Sequence, residues 1–228
     1  MDMGSNFPIK IKIKLLGLFI VAYGFFYIFP NLYARWEPAT LPMTWLDNSI
    51  PLIPFTFLIY TSDYLLILFA IILIKNSDDF RSFSRMMFAT LFTCGLFFIF
   101  FPTTYPRPTY PIVNNTFIKA AMEFIYVGDS PNNCLPSLHV ALTSVSAWSL
   151  RRGSKKVLGF FVLWTLAIII STLTTKQHYF IDVIGGLLVL VAVVMVEKWF
   201  VNHFTVKHSP QISDAPNSKI PVEIFPEL

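Results

Sequence analysis

The chain has 228 residues, enough for one domain of ordinary size, and is 55% apolar, 17% aromatic and only 13% charged, where a soluble domain carries roughly 25% charged residues. A surface this poor in charge needs lipid to cover it, which excludes an ordinary soluble globule. The formal charge of +4 does not indicate nucleic acid, because no basic stripe interleaves with stacking aromatics; Lys and Arg gather instead at the ends of apolar runs, as beside a bilayer.

A spanning helix needs about 20 mostly apolar residues. The first apolar run, about 15–29, follows Lys10, Lys12 and Lys14. It has no small-residue cleavage site and reads as a retained anchor rather than a signal peptide. A connection with Pro30, Trp36, Pro38, Pro42 and Trp45 suits the membrane interface. The second span covers about 53–74 and the third about 86–101, with a polar turn between them. Pro102, Pro106, Pro108, Pro111 and Pro131 punctuate the next connection, which is expected to hold no regular helix.

The fourth span, about 138–150, is short and carries Thr143, Ser144, Ser146 and Ser149. Such hydroxyls are compatible with burial inside a helical bundle. The fifth, about 157–173, joins the sixth, about 180–200, by a very short turn. The expected fold is therefore all-α: a cytoplasmic N-terminus over 1–14, a six-transmembrane-helix bundle over 15–200, and a flexible cytoplasmic tail over 201–228. Cys94 lies in an apolar run and Cys134 in a polar connection, so they make no disulfide framework.

With both termini inside, the cytoplasmic segments collect 13 Lys and Arg residues, and the other side keeps Arg35, Arg107, Lys119 and Lys176. That asymmetry sets the orientation. It brings the segments around Arg107, His139 and His178 to one membrane depth, on the outer side.

His178 and Asp182 are four apart and share a helix face. A carboxylate one turn away can accept a hydrogen bond from one ring nitrogen and leave the other free to act as nucleophile or base. Pro136 and Ser137 suit a helix start, which puts His139 in a first turn beside free N–H groups, a favourable place for an anion. Taken singly, each histidine has a structural reading; the pair describes a phosphate pocket better than a packing accident. Arg107, between Pro106 and Pro108, offers a fork of donors matched to phosphate oxygens. No histidine and carboxylate cluster suits a metal, so metal-free chemistry without a cofactor is expected. Asp63 is an acid within the second span, and Gly185 and Gly186 are positioned for close helix packing. Asn114-Asn115-Thr116 matches the N-glycosylation pattern, and His203 and His208 are expected to be solvated.

Together the segments resemble the type 2 phosphatidic acid phosphatase superfamily, with its motifs Lys-x6-Arg-Pro, Pro-Ser-Gly-His and Ser-Arg-x5-His-x3-Asp. The resemblance implies that His178 attacks phosphorus, Asp182 orients it, His139 protonates the leaving oxygen, and Arg107 and Ser137 bind phosphate. The substrate implied is a lipid phosphate or phospholipid in the bilayer. The chain departs from the pattern: Phe100 stands for the first-motif Lys, Leu138 for the motif Gly, and Thr172, after Ser171, for the Arg. Lys176 is a candidate replacement for the missing cations. The Pro-Ser-Leu-His and His-Tyr-Phe-x-Asp forms look more like the branch containing inositol phosphorylceramide synthases and their bacterial relatives. Sphingomyelin synthases are similar at the His-Tyr-x-x-Asp segment, here His178 to Asp182. That branch implies transfer of a phospho-head-group to a lipid hydroxyl as the alternative to hydrolysis. A non-catalytic lipid-binding or transport protein is the lesser alternative, with no chemical need for His139, His178 and Asp182 together.

Overall fold

The computed structural model describes residues 7–205; the rest of the expected tail, with His208, lies outside the described residues. In chain order the helices are α1 (Ile9–Tyr23), α2 (Phe29–Leu32), α3 (Trp45–Ser49), α4 (Thr56–Tyr60), α5 (Asp63–Leu73), α6 (Ser77–Phe100), α7 (Thr116–Gly128), α8 (Leu138–Ser149), α9 (Lys155–Thr174) and α10 (Phe180–Phe200). A π-helical turn, Gly24–Ile28, joins α1 to α2, and a second, Val201–Thr205, continues α10. Among the described residues, five helical stretches are long and apolar enough to cross a membrane: Ile9–Leu32, Thr56–Leu73, Ser77–Phe100, Lys155–Thr174 and Phe180–Phe204.

The sixth expected span, α8, differs in kind. Its 12 residues reach about 18 Å at 1.5 Å per residue, short of a hydrocarbon layer about 30 Å thick. It is covered by protein, packing against α5, α6, α9 and α10, and 11 of its residues are buried. Its hydroxyls survive burial by bonding back one turn: Thr143 to the His139 carbonyl at 2.6 Å, Ser146 to Leu142 at 2.8 Å, Ser149 to Val145 at 2.8 Å. That satisfies donors that would otherwise each cost about 1–3 kcal/mol.

The first helix starts at Ile9, six residues before the expected span, because lysine is a good helix former and Lys12 finds partners. Its ammonium donates to the Ile71 and Ile74 carbonyls at 2.7 and 2.6 Å and lies 4.5 Å from the Phe80 ring, closing the open end of α5. At the same end of the bundle Arg85 is paired with Glu197, Arg152 with Asp79 at 2.9 Å, and the Arg151 and Lys198 charges stack on Trp148.

One expectation needs correction. The proline-rich connection contains α7, since its prolines stop at Pro111 and resume at Pro131, and Asn115 caps the helix by accepting from Phe117 and Ile118 N–H groups. The connections are also tied by a short parallel strand pair, β1 (Ala39–Thr40) with β2 (Thr103–Thr104). His203 is exposed but has a local partner: its Nδ1 donates to the Trp199 carbonyl at 2.9 Å, and its ring lies 4.8 Å from the Trp199 ring.

Candidate functional site

The site forms where α8 and α10 begin. In α10, Asp182 occupies the first turn and its Oδ2 reaches back to accept the Tyr179 N–H at 2.9 Å. The same oxygen lies 3.3 Å from His178 Nδ1. One carboxylate thus caps the helix and fixes the imidazole, leaving His178 Nε2 as the free nitrogen. The loop before it is equally constrained, because the Thr172 carbonyl accepts both the Gln177 and His178 N–H groups at 3.1 Å. Thr172, where the resembled motif has Arg, is fully buried.

In α8, Ser137 is the N-cap: its Oγ accepts from Val140 N–H at 3.4 Å, and the residue is completely buried. Its own N–H donates to the Asp182 carbonyl at 3.0 Å, which joins the two helix starts directly. Gly185 and Gly186 permit that approach. A Cβ on Gly186 would stand 2.7 Å from the Ser137 carbonyl, and one on Gly185 2.7 Å from Leu135 Cδ1. The consequence is that the rings of His139 and His178 meet with centroids 5.7 Å apart.

His139 is held from its other side by the second span, which breaks at Thr61–Ser62 between α4 and α5. The Tyr60 hydroxyl is 3.1 Å from His139 Nδ1, and its ring centroid is 4.5 Å from the imidazole. The Asp63 carboxylate, at the start of α5, is 3.7 Å from His139 Nε2. All three side chains are buried.

Arg107 reaches the site from the long connection. One guanidinium nitrogen donates to the Asp129 carbonyl and to Gln177 Oε1 at 3.3 Å, while Nε is buried and, among the described residues, has no partner. Gln177 is anchored in turn by Tyr110 at 2.6 Å, and its carbonyl accepts from the Tyr105 hydroxyl. Asp129 Oδ1 accepts from Tyr27 at 2.8 Å and Asn31 at 3.2 Å. Burial raises the Asp129 carboxyl above its ordinary range, against the Tyr27 hydrogen bond and the Arg107 and His178 charges, which lower it.

Lys176 is placed differently from the expected phosphate ligand. It adopts φ 57°, a left-handed conformation, and its ammonium donates to the carbonyls of Asp47 and Ile50 at 2.6 and 2.5 Å. Asp47 Oδ1 accepts the Phe180 N–H at 2.7 Å, so the 44–50 segment clamps the start of α10. Burial pushes the Lys176 amine below its usual range, the Asp47 carboxylate opposing. For Asp47, burial pulls upward, but hydrogen bonds from Thr44 and Phe180 and the Lys176 charge outweigh it, and the carboxyl sits below its ordinary value.

A cleft of about 270 Å³ opens beside Asp63 and His139 and runs between α1 and α5, walled by Leu16, Phe19, Ile20 and Ile71. A second space of about 250 Å³ adjoins it through Tyr23 and Tyr64 and reaches Asp129.

The structure therefore brings His139, His178, Asp182 and Arg107 to one end of the bundle, gives Ser137 a capping position, and turns Lys176 onto a neighbouring loop. Sequence reasoning missed Tyr60, Asp129, Gln177 and Asp47 as neighbours of the site, and no local spacing marks them. It had flagged Asp63 as an acid within a span. No curated protein matches the chain. A family model described as the PAP2 superfamily matches residues 30–196, a stretch that contains every one of these residues. The chain belongs to the PAP2 superfamily.

Proposed function

We propose that the chain is a membrane-embedded, metal-independent phosphoesterase that acts on a lipid phosphate through a phosphohistidine at His178. The observation that carries this reading is the opposed histidine pair, with Asp182 on one ring and Tyr60 and Asp63 on the other. Membership of the superfamily supports a phosphatase-type enzyme.

In the first step His178 Nε2 attacks phosphorus. The N–P bond forms as the bond from phosphorus to the lipid oxygen breaks, and that oxygen takes a proton from His139. In the second step water gives its proton to His139 while its oxygen bonds to phosphorus, the N–P bond breaks, and phosphate leaves. Tyr60 holds Nδ1 of His139, so Nε2 is the nitrogen that exchanges the proton, with Asp63 beside it to stabilise the imidazolium. Arg107 holds phosphate oxygens, the unpartnered Nε being a donor still to be satisfied. The apolar cleft between α1 and α5 is the seat for an acyl chain, which makes the substrate a lipid.

We also assign the site to the non-cytoplasmic face. Lys12, Arg85, Arg152 and Lys198 make their contacts at the opposite end of the bundle, which is the cytoplasmic end by charge asymmetry.

A second reading, transfer of a phospho-head-group to a lipid hydroxyl, is favoured by the cation count. The site gathers one guanidinium, Arg107, and three carboxylates, Asp63 beside His139, Asp182 on His178 and Asp129 behind the Arg107 contact, while Phe100 and Thr172 replace motif cations. A diester carries less charge than a monoester and needs fewer cations. The chemistry is the same, with an alcohol in place of water in the second step. This resembles the inositol phosphorylceramide synthase-like branch.

The test is purified protein with a panel of lipid phosphates, with and without ceramide or diacylglycerol, following free phosphate and new lipid products. His178→Ala and His139→Ala are each expected to abolish turnover in protein that still inserts. Wild-type turnover in both variants refutes the assignment.

A further inference from the structure

The cavity that reaches Asp129 has an unusual wall. Three helices and a turn contribute aromatic rings: Tyr23 from α1 and Tyr27 from the turn after it, Tyr64 from α5, and Phe124 from α7. Tyr23 and Tyr27 stack at 4.9 Å, and Tyr64 meets Phe124 edge-on at 6.2 Å. One carboxylate completes the lining. Asp129 uses Oδ1 for Tyr27 and Asn31, and among the described residues it has no ion pair; Arg107 donates to its backbone carbonyl instead.

Aromatic faces around a carboxylate attract a cation with an apolar outer surface. A hard metal ion would want 6–8 oxygen ligands or near-octahedral coordination, which a single carboxylate among rings does not provide. The cavity shares two wall residues, Tyr23 and Tyr64, with the cleft at His139, and Asp129 is tied to the histidine pair through Arg107, which donates to its carbonyl and to the side chain of Gln177, the residue before His178. A cation held here is therefore next to whatever phosphorus the histidines hold.

We infer that the cavity walled by Tyr23, Tyr27, Tyr64, Phe124 and Asp129 is a cage for a quaternary ammonium head group joined to the phosphate at the histidine pair. The inference rests on the reading of that pair as a phosphate site, and it names the substrate class: a zwitterionic phosphodiester lipid. It also accounts for the charge census, since a zwitterion brings its own positive charge to a site with three carboxylates and one guanidinium.

The experiment is calorimetric titration of the full chain in lipid nanodiscs with dihexanoyl phosphatidylcholine and dihexanoyl phosphatidylglycerol, which share tails and phosphate, alongside a turnover assay on both. The choline lipid is expected to bind at least tenfold more tightly, and tetramethylammonium chloride is expected to compete with it. Tyr64→Leu and Phe124→Leu alter side chains that are 44% and 58% exposed, so the fold should tolerate them. Each is expected to bring the preference below threefold. Equal affinity for the two lipids, or a preference that survives both substitutions, overturns the cage. Turnover without preference leaves the histidine chemistry standing and removes the cage. Preference without turnover of any lipid phosphate keeps the cage and removes the phosphoesterase reading.

Discussion

The backbone N–H of Ser137 donates to the carbonyl of Asp182 at 3.0 Å, and this one bond joins the starts of α8 and α10. It lies two residues before His139 on one strand of the chain and four after His178 on the other. The backbone positions of the two histidines are thereby registered against each other, and Asp182, Tyr60 and Asp63 then orient the rings. Precise placement of this kind is what a shared phosphoryl group requires, since small misplacements of catalytic groups cost large factors in rate.

Gly186 is the element of that register most open to test. In Gly186→Ala the new methyl would be 2.7 Å from the Ser137 carbonyl and 2.9 Å from Val140 Cβ, so α8 and α10 must separate. We expect a loss of about 1–3 kcal/mol of stability and a fall in turnover of at least 100-fold. Gly159→Ala, on a helix where nothing lies within 4 Å of the new Cβ, should leave stability unchanged or raise it. Thermal unfolding in detergent and a rate assay on both variants check this; equal rates would show that the contact does not set the site.

Asp63 acts through His139, so it is a positioning residue. Asp63→Asn is expected to lower kcat by 10- to 100-fold with KM within threefold, and Asp63→Glu to recover part of the loss. Tyr60→Phe leaves a buried Nδ1 without its 3.1 Å partner, a loss of about 1–3 kcal/mol, and should lower kcat about tenfold. A purely structural role for Asp63 would lower expression and thermal stability without this split between kcat and KM.

The 44–50 clamp predicts a pH dependence of stability. Asp47 is held below its ordinary value of 3.8, so its contribution is fully present above about pH 4 and is lost as the pH falls through the folded-state value. Asp47→Asn should lower Tm at pH 7 and flatten the acid side of the curve. Scanning fluorimetry of both proteins from pH 7 to pH 3 measures the effect. Parallel curves would contradict it.

What could be read from the sequence follows the range of the interactions. His178 and Asp182 were legible because a four-residue spacing is a local fact of helix geometry, and Gly186 because small residues mark close approach. The hydroxyl pattern of α8 was legible as burial, but its true position, enclosed by four other helices, follows from packing. Tyr60 and Asp63 lie on a helix interrupted at Thr61–Ser62, and nothing in the local pattern tells that the interruption faces His139. Asp129 hides behind the prolines that also concealed α7. Lys176 looked like a phosphate ligand because of its distance in sequence from His178; its left-handed backbone carries the side chain to Asp47 and Ile50, which no spacing rule reports.

The most direct measurement is to trap the covalent intermediate. Purified protein mixed with lipid phosphate labelled on phosphorus, then quenched in alkali within milliseconds, should carry label in an alkali-stable, acid-labile form that maps to the peptide containing His178. His178→Ala should carry none. Steady turnover with no label on the wild-type chain, or equal labelling of His178→Ala, would contradict attack by this histidine.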